Sequence, residues 1–192
     1  MEKDILLTLF KSKSTVFSFK EILLMTSIPA SLLKRRLHYY VQNDQLYSMR
    51  RGLYSRDSNY DRRELATKIF TPAYVSFETV LLEAGAIFQY YAAIFVATYQ
   101  AKGIVCDEQN YVFRKLKDTI LVNTMGVENT GTYFIASPER AYLDLLYLNN
   151  DYYIDNLSVL DFEKIFLMLS IYNNERMKKV AHEHYKRFQQ EG

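Results

Sequence analysis

The sequence predicts an α+β protein: an N-terminal winged helix-turn-helix followed by a mixed α+β domain with a small sheet and C-terminal helices. Three observations carry that expectation. Apolar residues recur at helical spacing as far as Val41, a hairpin pattern with the basic tip Arg50-Arg51-Gly52 follows, and beyond Ile94 the pattern changes to β-branched and aromatic runs separated by glycines. The expected division is residues 1–70 for the first unit and 71–192 for the second.

In the first unit, Leu6, Leu7, Leu9 and Phe10 mark an amphipathic helix within residues 2–11, ended by Lys11-Ser12-Lys13-Ser14. Ser18 stands three residues before Glu21, the spacing of a capping box, with Ile22, Leu23 and Met25 on the buried side of a second helix. Residues 26–29 form a turn. Pro29 suits the first turn of a third helix, capped near Ser27, that runs through Leu32, Leu33, Leu37, Tyr40 and Val41 to about Asn43. Strands at 45–49 and 53–55 complete a basic hairpin, in which Gly52 supplies a positive φ. A linking helix is expected over 61–70, with Leu65, Ile69 and Phe70 on one face.

Thr71-Pro72 breaks that helix, and residues 73–76 lead into a helical segment over 77–85. Strands are expected at 94–97, 111–113, 120–122 and 132–135, with Gly103, Gly126 and Gly131 between them. Ser137-Pro138-Glu139 opens a helix with Ala141, Leu145 and Leu148 on one side, and two further helices follow over 159–172 and 174–190.

Composition narrows the function classes. With 192 residues, 49% of them apolar, the chain can bury a sizeable core. The single cysteine, Cys106, can form neither an intramolecular disulfide nor a Cys-rich zinc site, which fits a reducing compartment. Met1-Glu2-Lys3-Asp4 does not open a signal peptide, so a cytoplasmic location is expected. The most apolar stretch, 84–97, is interrupted by Gln89 and Tyr90-Tyr91 and is too short for a bilayer; it is expected to be buried core, with no membrane association. The net charge of +2 hides an asymmetry: residues 1–68 carry 13 Lys and Arg against 7 Asp and Glu, an excess of six, while residues 69–192 carry 11 against 15. A basic first unit suits a polyanionic partner.

Seating Leu33, Leu37 and Val41 inward turns Ser31, Arg35, His38 and Gln42 outward, with Lys34 and Tyr39 flanking them. Such a stripe can read base edges with Arg, Lys and Gln and reach phosphates with Ser and Tyr. Arg50 and Arg51 suit a wing against the backbone or the minor groove of double-stranded DNA, with Tyr47 and Tyr54 bracing the hairpin. The basic residues of the last helix, Arg176, Lys178, Lys179, Lys186 and Arg187, are expected on a solvated face.

Signatures of catalysis are missing from the sequence. It has no glycine-rich phosphate loop, no H-E-x-x-H, and no Asp-x-Lys or Glu-x-Lys of the kind metal-dependent nucleases use. His182 and His184, two apart on a helix, are expected to face solvent rather than share a metal, and His38 stands alone. Asp161 and Glu163 fit the start of a helix better than a metal site. The expectation is therefore a non-enzyme without cofactor or metal.

Three segments carry a family resemblance: Met49-Arg50-Arg51-Gly52-Leu53-Tyr54, the run from Glu64-Leu65-Ala66-Thr67-Lys68 through Thr71-Pro72 to Phe77-Glu78, and Ile135-Ala136-Ser137-Pro138-Glu139-Arg140-Ala141-Tyr142-Leu143-Asp144-Leu145-Leu146-Tyr147-Leu148. Over roughly residues 5–150 the chain resembles the AbiEi family, antitoxin-type transcriptional regulators of abortive-infection toxin–antitoxin systems. The resemblance implies an autorepressor that binds an operator in its own promoter and is paired in function with a nucleotidyltransferase toxin. Arg140 stands where the family has Lys, and Tyr142 replaces a frequent Leu. The second unit's role is open between dimerising the reader as a homodimer, contacting a toxin and binding something else. Two other classes stay in view: a protein-interaction module built on the same first unit, and a nucleic-acid-processing enzyme.

Overall fold

The computed structural model describes residues 4–191 as an α+β fold with two sheets. The beginning of the first expected helix, at residues 2 and 3, lies outside the described residues. In the first unit α1 (Ile5–Phe10), β1 (Val16–Ser18), α2 (Phe19–Thr26), α3 (Ala30–Gln42), β2 (Tyr47–Arg50) and β3 (Leu53–Ser55) follow one another. The strands pair antiparallel in the order β1-β3-β2. The capping box forms: Ser18 Oγ accepts from the Glu21 amide at 3.2 Å, and Glu21 Oε2 accepts from the Ser18 amide at 2.7 Å. Ser27 does not cap α3. It ends α2 with a left-handed backbone (φ 57°), and Pro29 stands before α3, its carbonyl accepting from the Leu32 and Leu33 amides. Strand β1 adds a third strand to the expected hairpin; it has three residues, too few for an alternation to register.

After the linking helix α4 (Arg62–Ile69), the second unit contains β4 (Ala73–Val75), α5 (Glu78–Glu83), β5 (Ile94–Thr98), β6 (Lys102–Cys106), β7 (Gln109–Lys115), α6 (Asp118–Leu121), β8 (Val127–Asn129), β9 (Phe134–Ala136), α7 (Pro138–Leu148), α8 (Phe162–Met168) and α9 (Glu175–Glu191). The sheet runs β6-β7-β5-β4-β9-β8, mixing parallel pairs (β4 with β9, β5 with β7) with antiparallel ones. Several expectations are corrected. Residues 120–122 are not a strand: the Lys117 carbonyl accepts from the Ile120 and Leu121 amides, closing the short helix α6. The strand expected at 132–135 is displaced to Phe134–Ala136, because Thr130 closes a turn on the Tyr133 carbonyl. Gly103 lies inside β6 rather than between strands, and residues 73–75 form β4, an interior strand. The helix expected over 159–172 starts only at Phe162, where Asp161 caps it, and ends in a 3₁₀ turn, Leu169–Ile171. The 84–97 stretch is not buried throughout, since Phe88 is 69% and Tyr90 78% exposed; Leu148 of α7 is also exposed.

Alternation along β5 and β7 divides the interior. Phe95 and Ala97 face a core built with α5, α7 and α8, whereas Val96, Tyr111 and Phe113 face the other way, onto Val16, Leu53, Leu65 and Ala66. A separate small core of Ile5, Leu9, Phe17, Ile22, Leu33 and Leu37 holds α1, α2 and α3 together. Helix α4 ties the halves polarly: buried Glu64 accepts from the Thr15 and Val16 amides, and Lys68 pairs with Glu64 and Glu21 at 3.0 Å each. At the centre of the second unit, buried Asp144 accepts from Tyr74, Ser76, Tyr172 and Arg140. Gly126 (φ 72°) approaches so closely that a Cβ there would lie 2.9 Å from Arg140 Cβ and 2.6 Å from Met168 Sδ. Among the described residues no helix is long and apolar enough to cross a membrane.

Candidate nucleic-acid interface

Helix α3 seats Leu33 and Leu37 fully in the small core. One face being buried, the 3.6-residue period leaves Ser31, Lys34, Arg35, His38, Tyr39 and Gln42 exposed on the others. The helix passes at once into the hairpin: the Tyr40 carbonyl accepts from the Gln45 amide at 2.8 Å and the Leu46 amide at 3.3 Å, fixing β2 relative to α3. Arg50 closes β2 across an irregularity in its pairing with β3, Arg51 occupies the turn, and both are exposed. Gly52 takes φ 79°, and its carbonyl accepts from the Phe19 amide at 2.9 Å, pinning the turn to the start of α2. Tyr54 packs against the small core, and Tyr47 stacks on Tyr60.

The cations of α3, the hairpin tip and α4 fall into two groups. Arg62, Arg63 and Lys68 are committed within the chain, Arg62 to the Asp107 carbonyl, Arg63 to Glu83, and Lys68 to Glu64 and Glu21; Arg36, half-buried, is likewise engaged. Lys34, Arg35, Arg50 and Arg51 pair with no carboxylate of the described residues. All the residues picked out by the outward stripe and the hairpin tip are thus exposed, on α3 and on the hairpin that directly follows it. Lys20, exposed and next to the residue that bonds the hairpin turn, is not among them. Its only local signal is its place in the first turn of α2.

The histidines of α9 differ from expectation. His182 is exposed, but His184 is half-buried with Nδ1 2.8 Å from Tyr142 Oη. Burial, then the nearby Arg187 guanidinium, hold its imidazole below the usual value. Arg187 is not simply solvated either: it donates to the Ile154 carbonyl and lies over the Tyr153 ring. Asp161 caps α8, accepting from the Glu163 and Lys164 amides. Buried Cys106 donates to the Met49 carbonyl, and burial pushes its thiol pKa up, away from the reactive thiolate. Among the described residues no group of three or more His, Cys, Asp or Glu is placed to hold a metal ion. What the exposed surface of α3 and the hairpin offers is hydrogen-bond donors and uncommitted positive charge. No protein-family model matches the chain, and no curated protein matches it.

Proposed function

We propose that the chain is a sequence-specific DNA-binding transcriptional regulator whose first unit is a winged helix-turn-helix. The observation that carries this reading is four uncommitted cations, Lys34, Arg35, Arg50 and Arg51, presented by one exposed helix face and the adjoining hairpin tip. The order helix, strand, helix, helix, strand, strand, with sheet order β1-β3-β2, supports it, α3 being read as the recognition helix and β2–β3 as the wing. The resemblance to AbiEi-type regulators extends the proposal: an antitoxin that represses its own promoter, paired in function with a nucleotidyltransferase toxin, acting in the cytoplasm without cofactor or catalysis.

Arg35 lies on the outward face of α3, where a bidentate contact with guanine is worth about 1–3 kcal/mol of discrimination. Arg35→Ala is expected to flatten the preference for operator over scrambled duplex. Arg50→Ala or Arg51→Ala is expected to weaken both duplexes alike and lower the salt slope by about 1. Gel-shift titrations at several salt concentrations measure both, and equal losses from Arg35→Ala would remove α3 from the reading role. A second reading, a protein-docking module, is favoured by Leu24 of α2, which is 74% exposed. It predicts no salt-dependent duplex binding by the wild-type chain.

A further inference from the structure

The hairpin bearing Arg50 and Arg51 is short, with four residues in β2 and three in β3. A ribbon of that length does not hold its shape in water unaided. Part of its bracing comes from the distant β6–β7 turn. Asp107 and Glu108 in that turn both take positive φ, 47° and 63°. This backbone comes easily only to Gly, Asn and Asp. The turn and the end of β6 reach across to residues 49, 60 and 62 at three points. Asp107 Oδ2 accepts from Tyr60 Oη at 2.7 Å, the Asp107 carbonyl accepts from Arg62 Nη1 at 2.8 Å, and Cys106 Sγ donates to the Met49 carbonyl at 3.3 Å. Tyr47 of β2 stacks on Tyr60 with ring centroids 6.4 Å apart, and the Asp107 carboxylate is the main cause of the raised pKa of Tyr47. One carboxylate therefore holds Tyr60, on which Tyr47 stacks, while its neighbour holds the residue just before Arg50.

We infer that Asp107 is a positioning residue for the hairpin: through Tyr47 and Tyr60 it fixes the strand that presents Arg50 and Arg51, so a turn of the second sheet sets how the first unit meets DNA. The contacts are not needed to close the turn, since the β6–β7 ladder runs from Lys102 opposite Phe113 to Cys106 opposite Gln109 without them. They join segments 45 to 57 positions apart in sequence. The DNA part of the inference rests on the proposed function; the bracing part does not.

The full chain tests it with three variants: the double variant Tyr47→Phe/Tyr60→Phe, which removes both hydroxyls and leaves both turns untouched, Asp107→Ala, and Asp107→Asn, which keeps an acceptor oxygen and tolerates positive φ. Amide hydrogen exchange over residues 47–55 is read beside exchange in α7, together with affinity for operator and scrambled duplex over a salt series. The double variant and Asp107→Ala should speed hairpin exchange about tenfold with α7 unchanged, a local opening rather than global unfolding. They should also weaken both duplexes about tenfold and reduce the salt slope by about 1, while Asp107→Asn retains wild-type behaviour. Unchanged hairpin exchange overturns the inference, as does equal acceleration in α7 or faster hairpin exchange with unaltered duplex binding. A wild-type chain that binds no duplex sinks the proposed function and the DNA half of the inference, and the exchange data then decide the bracing half alone.

Discussion

Arg140 is fully buried, and each of its five N–H groups has an acceptor: Asp144, Tyr74, and the carbonyls of Ile120, Asn123 and Met125. A guanidinium can remain charged in the interior only on such terms, because a buried ion lacking partners loses its hydration without replacement. The three carbonyls, in α6 and just after it, all accept from this one cation. Lysine has three donors radiating from a point, so Arg140→Lys would lose at least two of these five hydrogen bonds and fit the planar fork poorly. That substitution is expected to cost about 3 kcal/mol, read as a lower urea midpoint with unchanged slope. A loss below about 0.5 kcal/mol would show that water reaches the site and replaces the missing donors.

Among the elements, α2 is the one whose boundaries are most fully determined by local chemistry. Ser18 and Glu21 satisfy each other's backbone donors at its start, and Ser27, left-handed, stops it, its amide donating to the Leu23 carbonyl at 3.2 Å. The same start is mechanically loaded: Ser18 pairs with Leu53 across β1–β3, and the Phe19 amide holds the hairpin turn. Ser18→Ala is therefore expected to lose about 1 kcal/mol of stability in chemical denaturation, the ordinary cost of removing a cap. Ser31→Ala, on the exposed face of α3, should change stability by less than about 0.5 kcal/mol. If the two variants prove equally stable, the box contributes nothing and the packing of Ile22 holds the helix.

For the whole molecule, the decisive feature is the core shared by the two sheets. Phe113 is 2% exposed, meets Phe70 edge to face at 4.8 Å, and belongs to the cluster that also contains Val16 and Leu53 of the first unit. Removing it leaves a cavity under both halves, so Phe113→Ala is expected to cost about 3–5 kcal/mol. Because the cluster is common property, exchange protection in α3 and in α7 should fall together and a single melting transition should remain. Two separated transitions, or loss of protection in α7 alone, would show that the first unit folds without the second.

Several features of this protein are decided within a few residues of chain. The capping signals at Ser18, Asp61, Ser137 and Asp161, the helical period that turns Arg35 and His38 away from Leu33 and Leu37, and the glycine at the hairpin turn are local, and each is readable from the sequence alone. The basic stripe of the candidate interface follows from them directly. Other features exist only once distant segments meet. Strands β1 and β4 have three residues each, too short to show a period of two, and become strands because partners far along the chain supply their hydrogen bonds. The wrong assignment of 120–122 has an origin partly local and partly distant: Ile120 and Leu121 are apolar enough for a strand, but the Lys117 carbonyl closes a helical turn on their amides and Arg140 takes the Ile120 carbonyl. Asp107 in sequence is one acid in a turn, and only tertiary packing brings Tyr60, Tyr47 and Arg62 around it. Hydrophobic spacing and caps act within one or two turns of chain, whereas strand pairing and buried polar networks link residues dozens of positions apart, and no local pattern encodes which partner will arrive.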